Sequence, residues 1–383
     1  MTRGIMKLER PGSCGLSMVG LLGTLLLGSG VLLSQGCAEE RSIAPVPTSY
    51  RATLLTTNIL IPFPEYVVRT VDLSTGTVIG ETPIDIGGDP RDISVTPDGR
   101  YGAVCQWRGR IQVFDLQSLS VVHELEVSPP GVTSLHLLPV DPLKLFVTCP
   151  ILCNSAVYDA STGAVDTSLP RSLFSFDSPD QRELVSISSG GVTRRLYGTW
   201  EIVDSFSFVS PVGGGVKVNE AEVTSAYDAI YLLGEDAGGG AIFRYNLSDH
   251  SCTFRQPVES PWRHRLAVSS TAGEIWVLGG GAHVRLNPRE IEYWEYILIL
   301  DGSNGTPLDT ISTMGLLENY PESQVGMRAI AFHPEEPIAY VATQSELSVL
   351  VINRSSREIV GSLDVGIVSE IRITPSRNTS GHY

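Results

Sequence analysis

The segment between residues 279 and 294 holds the densest mixture of side chains that could bind or transform a ligand. It begins with three glycines and then supplies His283, Arg285, Glu290 and Trp294. Arginine and histidine bind anions, tryptophan stacks on flat or cationic groups, and glutamate can act as a base. The length of the segment and its glycines indicate a lid or a binding loop.

Further arginine and aromatic residues could complete the same site. They are Arg91, Trp107, Arg108, Arg110, Trp262, His264 and Arg265. If the fold brings them to one opening, they form an Arg/Trp/His pocket for an anionic or aromatic ligand. The competing interpretation is that these loops are tolerated insertions whose arginines pair with nearby acids, and the sequence favours it.

Acidic residues raise a second possibility, a hydrolytic site assisted by a metal ion. Asp236, Glu290 and Glu322 are candidates, but such a site needs several of these groups to converge. The sequence contains no His-Glu-x-x-His, no Gly-x-Ser-x-Gly and no phosphate-binding Gly-Lys-Ser/Thr after its glycine runs. It also lacks the Cys-x-x-Cys-His of covalent haem attachment. We therefore predict no catalytic set, no metal ligands and no cofactor.

The cysteines suggest one local disulfide. Cys149 and Cys153 are separated by three residues, and an exported protein can close such a small ring. A zinc site is less well supported, because structural zinc takes four ligands at recognisable spacing. We predict a Cys149–Cys153 bridge and an unpaired Cys252.

The charge balance excludes one class of partner. The chain of 383 residues has a net charge of -15, and residues 1–36 carry +2 of it, which leaves -17 on the remainder. Nonspecific nucleic-acid binding needs basic patches, so we predict no nucleic-acid partner. Hydrophobic residues make up 42% and charged residues 18%, which indicates a globular chain rather than a disordered one.

The N-terminus has the organisation of an export signal. Basic residues precede the uncharged stretch Gly15–Leu33, and Leu33-Ser34-Gln35-Gly36-Cys37 follows. This resembles a bacterial lipoprotein signal, which implies lipidation of Cys37, although Ser34 stands where that family favours leucine. An ordinary cleaved secretory signal and an uncleaved anchor are the alternatives. We predict a signal peptide at 1–36 and a tether at 37–49, which places the protein outside the cytoplasm.

A short sequence motif, called here the aspartate phrase, repeats along the chain and indicates which strands and turns position the candidate binding residues. Its centres are Asp72, Asp115, Asp159, Asn246, Asp301 and Asn353, as in Tyr158-Asp159-Ala160-Ser161-Thr162-Gly163. The centres are 43, 44, 87, 55 and 52 residues apart, and the long step spans one degenerate copy. A period of about 40–50 residues is typical of the four-stranded blades of a β-propeller. In such a ring the loops named above lie at one axial mouth.

The two ends of the chain complement each other. Residues 51–88 supply three strands without an inner one, and Ser369–Thr374 supplies an inner strand without a blade. We predict an all-β, seven-bladed propeller at 50–378, closed by pairing of the N- and C-terminal strands, with a tail at 379–383. Closure hides sheet edges that would otherwise be exposed.

Short motifs support this architecture. Phe146-Val147-Thr148-Cys149, Tyr340-Val341-Ala342-Thr343 and Thr96-Pro97-Asp98-Gly99 resemble the YVTN-type β-propeller repeat, a relative of WD40-like propellers. The resemblance covers residues 51–378. It implies a secreted or surface protein with a binding function, while a minority of similar rings are lactonases or redox-enzyme subunits.

We therefore predict an exported, lipid-anchored, monomeric propeller that serves as a noncatalytic binding module. Its expected partner is a protein, a glycan or an envelope component, and its only contact with the membrane is the lipid anchor. The alternative is a lactonase-like or other hydrolytic enzyme with its site at the axial mouth.

Overall fold

The computed structural model describes most of the chain beyond the predicted tether. The described residues are 50–58, 65–85, 90–127, 131–138, 140, 143–148, 154–178, 180–224, 226–258, 265–269, 273–286, 289–312, 327–343 and 348–375, with the backbone alone for 280–286 and 289–295. They belong to one compact unit, and their regular elements are all strands. Within these residues no helix is long and apolar enough to cross a membrane.

The strands form seven antiparallel sheets of four strands each. From the axis outward, blade 1 consists of β28 (Ile367–Pro375), β1 (Tyr50–Asn58), β2 (Glu65–Asp72) and β3 (Thr77–Ile84). Blade 2 consists of β4 (Pro90–Val95), β5 (Tyr101–Gln106), β6 (Arg110–Asp115) and β7 (Ser120–Glu126). Blade 3 consists of β8 (Ser134–Leu138), β9 (Lys144–Thr148), β10 (Ser155–Asp159) and β11 (Val165–Leu169). The remaining four blades follow the same plan.

Blade 4 is β12 (Phe174–Asp177), β13 (Glu183–Ile187), β14 (Gly191–Leu196) and β15 (Ile202–Ser207); blade 5 is β16 (Lys217–Val223), β17 (Ala229–Asp236), β18 (Gly239–Asn246) and β19 (Cys252–Pro257). Blade 6 is β20 (Arg265–Ser269), β21 (Glu274–Leu286), β22 (Arg289–Asp301) and β23 (Pro307–Ser312); blade 7 is β24 (Met327–Phe332), β25 (Ile338–Thr343), β26 (Ser348–Asn353) and β27 (Glu358–Asp364).

The ring closes where the sequence predicts. β28 pairs with β1 from Tyr50↔Pro375 to Thr57↔Ile367, so the C-terminal strand is the inner strand of blade 1. The inner strands touch in the order β28, β4, β8, β12, β16, β20 and β24, and β24 touches β28 again. The predicted all-β, seven-bladed ring is confirmed.

The repeated aspartate phrase is a turn between the third and fourth strand of each blade. In blade 3, Asp159 Oδ1 accepts hydrogen bonds from the backbone N–H groups of Ser161 (3.0 Å) and Thr162 (2.9 Å). The N–H of Gly163, in the left-handed region at φ 70°, donates to the Asp159 carbonyl oxygen at 2.9 Å. The residues in this left-handed position are Gly76, Leu119, Gly163, Trp200, His250, Gly305 and Arg357. The phrase therefore closes turns.

The hydrophobic core is divided among the interfaces between blades. Each of seven clusters of buried side chains draws on two neighbouring blades. Trp276 of blade 6, for example, is fully buried in the cluster that it shares with Val341 and Ile352 of blade 7. Burying one large apolar side chain contributes about 1.5–3 kcal/mol. Every blade therefore depends on both neighbours for its stability.

Two elements differ from the sequence prediction. The inner strand of blade 5, Lys217–Val223, carries polar and charged residues between its apolar ones, so the sequence does not indicate it. Residues 279–293 were predicted to be a loop, but they continue two strands. β21 and β22 pair without interruption from Glu274↔Asp301 to Leu286↔Arg289. The proposed binding loop is a long β-hairpin.

Candidate functional site

The channel along the ring axis is the candidate site, because charged side chains of several blades meet there. Two adjoining cavities of about 180 and 300 Å³ lie among the inner strands and share several walls. The side chains common to both are Asp92, Ser134, Phe174, Glu220, Glu222 and Arg372. Each inner strand sends alternate residues to the axis, because successive side chains of a strand point to opposite faces.

Two arginines and three acids form an ion-pair network at the mouth end of the channel. Arg265 lies 3.1 Å from Glu220 and 3.4 Å from Glu370. Arg372 lies 3.2 Å from Glu370 and 3.3 Å from Asp92. The network joins blades 5, 6, 1 and 2, and it therefore fixes the inner strands relative to one another.

Asp92 extends this network to blade 3. Its Oδ2 accepts hydrogen bonds from the Ser134 hydroxyl at 2.5 Å and from the Leu135 backbone N–H at 3.1 Å. A carboxylate with both a cation and neutral donors around it is held in one orientation. Asp92 is accordingly a positioning residue of the channel wall.

Glu222 differs from the other axial carboxylates. No ion pair joins it to a described residue, although Glu220 and Glu370 are both paired with arginine. Burial raises its pKa to about 8; Glu220 and Glu370 push it further upward and Arg372 opposes them. Burial also raises the pKa of Glu220, to about 6, against the attraction of Arg265. Burial raises the pKa of Glu370 as well, so all three axial glutamates favour the protonated form more than exposed glutamates do.

Aromatic side chains line the larger of the two axial cavities. Phe174 and Phe176, on alternate positions of β12, line the 300 Å³ cavity together with His136. His136 Nε2 lies 2.9 Å from Asp177 Oδ2, and the Tyr197 hydroxyl donates to the other oxygen of Asp177. This cavity therefore combines aromatic side chains with an imidazole that contacts Asp177.

The structure brings only some of the predicted binding residues to the channel. Arg91 and Arg265 line the same cavity, and the Arg91 guanidinium lies 5.8 Å from the centre of the Trp107 ring. Arg108 and Arg110 belong to the β5–β6 turn and to β6, and they line neither axial cavity. Arg265 is held by Glu220 and Glu370, so it is engaged with acids of the protein itself.

Several predicted residues lie beyond what the structure describes. Trp262, His264, Glu322, Cys37, Cys149 and Cys153 lie outside the described residues. For His283, Arg285, Glu290 and Trp294 only the backbone is described, which pairs Arg285 with Glu290 and Gly281 with Trp294 in the hairpin. Cys252 is a free cysteine, as is the buried Cys105.

Asp236, a candidate for the hydrolytic site, lies away from the channel. Its carboxylate has no exposed area and is bound by Arg255 at 2.8 Å. The Ser210 hydroxyl and the backbone N–H of Gly238 donate to it as well. These donors hold its pKa well below the ordinary value. Asp236 is therefore engaged by Arg255 and lines neither axial cavity.

The acids that do converge were not among the predicted residues. Glu220, Glu222 and Glu370 lie on two inner strands, β16 and β28, that also carry buried Ala221 and Ile371. The alternation of charged and apolar residues in Glu220-Ala221-Glu222 and Glu370-Ile371-Arg372 was the available signal. Within the described part of the chain, no three His, Cys, Asp or Glu side chains form a group able to hold a metal ion.

Comparison with known proteins supports the architecture. No protein family and no curated protein matches the sequence. Among solved structures, the β-propeller domain of Myceliophteria thermophila Cps50 (Swd1) aligns with a TM-score of 0.55 and 14% identity, over 78% of this chain and 95% of that domain. The chain has a WD40-like β-propeller fold. Kuenenia stuttgartiensis hydrazine synthase aligns with a TM-score of 0.54 and 15% identity, over 76% of this chain and 92% of that one. At these identities the likeness extends to the fold alone.

Proposed function

We propose that the protein is an exported, lipid-anchored propeller that binds a protein, a glycan or another envelope component without catalysis. The proposal rests on the structure of the axial mouth. Ion pairs between blades hold the inner strands there, and the β21–β22 hairpin projects from the same end of blade 6. A rigid frame with a projecting element presents a preorganised surface, which lowers the ordering cost of binding.

The register locates the projecting part of the hairpin. Arg265 of the inner strand pairs with Leu278, and Tyr296 pairs with Ser312 of the outer strand. The pairs from Gly280↔Glu295 to Leu286↔Arg289 lie past both of these contacts. At about 3.3 Å per residue the two strands extend roughly 20 Å beyond the sheet.

Export and anchoring rest on the sequence of residues 1–49. We propose a signal peptide at 1–36, lipidation of Cys37 and a tether at 37–49. Kinship with YVTN-type repeat proteins, through Phe146-Val147-Thr148 and Tyr340-Val341-Ala342-Thr343, supports the same class of surface protein. Cys37→Ala should abolish incorporation of labelled palmitate in cells, and label that persists in this variant would rule out lipidation at Cys37.

Site-specific photocrosslinking in intact cells tests the binding role. A photoreactive residue at Glu292 of the hairpin should yield a discrete adduct with an envelope component. The matched control places it at Val165, which is 59% exposed on an outer strand of blade 3. Absence of an adduct at 292, or the same adduct from both positions, would refute a binding surface at the mouth.

The hydrolytic alternative is less well supported. Of its three candidate carboxylates, Asp236 of β17 is buried against Arg255 of β19, and the axial acids Glu220 and Glu370 are engaged by Arg265. A general base has to be free to accept a proton from the substrate or from water. Glu222 is the axial glutamate without an ion pair among the described residues, so hydrolysis stays the second candidate function.

A further inference from the structure

The 300 Å³ cavity of the channel has an uncommon combination of walls. Phe174, Phe176 and Glu222 are among the residues that line it. The Ser175 hydroxyl, whose oxygen is buried and has no hydrogen-bond partner in the described structure, lies on the same strand between the two phenylalanines. Cavities of this size with apolar walls and a few polar groups are typical of small-molecule sites.

Glu222 makes this cavity favourable for a positively charged ligand. Its neighbours Glu220, Glu370 and Asp92 all have an arginine within 3.4 Å, whereas Glu222 has none among the described residues. A carboxylate removed from water and left without a cation is unfavourable in its charged form. A cationic ligand would supply the missing partner.

The aromatic walls decide the kind of cation. Calcium and magnesium take six or more oxygen ligands, and this cavity offers one unengaged carboxylate. Ammonium groups with apolar substituents instead bind where an acid and aromatic faces lie together. Arg265 and Arg372 contact Glu220, Glu370 and Asp92, so these two guanidinium groups are engaged with acids of the protein.

We propose that the axial cavity binds a small organic cation, an ammonium group with an apolar substituent, with Glu222 as its counter-ion and Phe174 and Phe176 against its apolar part. This site is independent of the partner-binding role of the mouth. The cation lies in the 300 Å³ cavity, whose lining residues do not include Arg91 or Arg265.

Binding should depend on pH in a defined direction. Only the ionised Glu222 attracts a cation, and its pKa is raised to about 8 by burial and by Glu220. The other charged or titratable groups that line the channel or pair with β16 at this position are Arg91, Asp92, His136, Arg265, Arg328, Glu370, Arg372 and, on β17, Tyr231. Affinity for a permanently charged ligand should therefore rise about tenfold between pH 7 and pH 9.

Calorimetric titration of the full-length protein with benzyltrimethylammonium tests the proposal. This probe keeps its charge at every pH, so any change in affinity belongs to the protein. The wild type should bind saturably and more tightly at pH 9. Glu222→Gln should bind at least about tenfold more weakly at pH 9 and lose the pH dependence. Glu126→Gln, an exposed glutamate on β7, should bind as the wild type does.

Three outcomes would overturn the proposal. They are no saturable binding at about 10 mM probe, equal binding by Glu222→Gln, and equal binding of uncharged benzyl alcohol. Phe176→Leu provides a second variant if Glu222→Gln fails to fold. It should weaken benzyltrimethylammonium several-fold through loss of the aromatic face, and unchanged affinity would also count against the site.

Discussion

Asp236 keeps its negative charge inside the protein through a set of fixed donors. Arg255 contacts both of its oxygens at 2.8 Å, and the Gly238 N–H adds a third bond at 2.8 Å. Removing only one member of a buried ion pair leaves an uncompensated charge, which costs more than the pair contributes. This makes Arg255 a sensitive position although it lies far from the axis.

Arg255→Met should therefore destabilise the protein by about 3 kcal/mol in urea unfolding, because the methionine keeps the packing and removes the cation. Combining it with Asp236→Asn should recover part of the loss, since the unpaired charge is then gone. A single variant that loses less than about 1 kcal/mol would show that Asp236 does not depend on this partner.

Glu222 should make the stability of the ring fall as the pH rises. Its pKa of about 8 in the folded protein lies above the ordinary value of 4.5, so the folded state holds a proton that the unfolded state releases. Its contribution to stability is complete below pH 4.5 and is lost progressively up to pH 8. The loss is on the order of a few kcal/mol.

Glu222→Gln, which stays neutral, should match the wild type in thermal melts near pH 5 and exceed it increasingly toward pH 9. Melts at intervals of one pH unit, with Glu126→Gln as the control, measure the difference. A constant difference across this range would exclude Glu222 as the titrating group.

The partners of an arginine are harder to predict than the arginine itself. Arg265 is a candidate ligand-binding residue from its sequence context, and the structure places it in the lining of an axial cavity. Its partners Glu220 and Glu370 are 45 and 105 residues away along the chain. Ring closure brings them together, and no local pattern of residues records that. The sequence therefore indicates that Arg265 is a charged residue of the site, but it does not indicate that Glu220 and Glu370 pair with it.

At the scale of the element, the turn after each third strand is the most predictable part of the protein. Asp159, Asp301 and Asn353 each accept backbone N–H groups two and three residues further on. The geometry depends on the side-chain oxygen and on a left-handed residue four positions later, both of which are local. Because these requirements are local, the same residue types recur in the sequence at each such turn.

Asp159→Ala should cost about 1 kcal/mol in urea unfolding, because the turn loses its side-chain acceptor. Asp159→Asn should cost much less, since asparagine fills the same place in blade 7. Equal losses in the two variants would show that the charge, rather than the acceptor geometry, matters at this turn.

The hairpin of blade 6 shows where local rules mislead. Gly279-Gly280-Gly281 weakens any strand prediction, because glycine is depleted in strands. The backbone nevertheless continues in register through all three glycines, as far as Leu286 and Arg289. Cross-strand pairing with residues 294–296 overrides the local preference. The length of the segment was a valid signal of an unusual element, but its conformation was not predictable from composition.

At the scale of the whole molecule, the seven cores are all interfaces, and the ring has no terminal blade. β28 contributes Val368 and Ile371 to the cluster between blades 1 and 7, together with Leu54 and Tyr340. It also carries Glu370 and Arg372 of the axial network. The C-terminal strand β28 therefore contributes side chains both to the hydrophobic core and to the channel. It also supplies the inner strand of the first blade.

Deleting residues 367–383 should lower the thermal midpoint by more than 10 °C, on the order of 5 kcal/mol or more, and broaden the transition. The deletion removes several buried side chains worth about 1.5–3 kcal/mol each. It also leaves β1 as an unpaired edge, which favours aggregation. The matched control deletes only 376–383, which lie past β28, and should melt as the full chain does. Equal melting of the two truncated proteins would mean that the ring is stable when open. In that case the packing between blades, rather than closure by β28, would hold the propeller together.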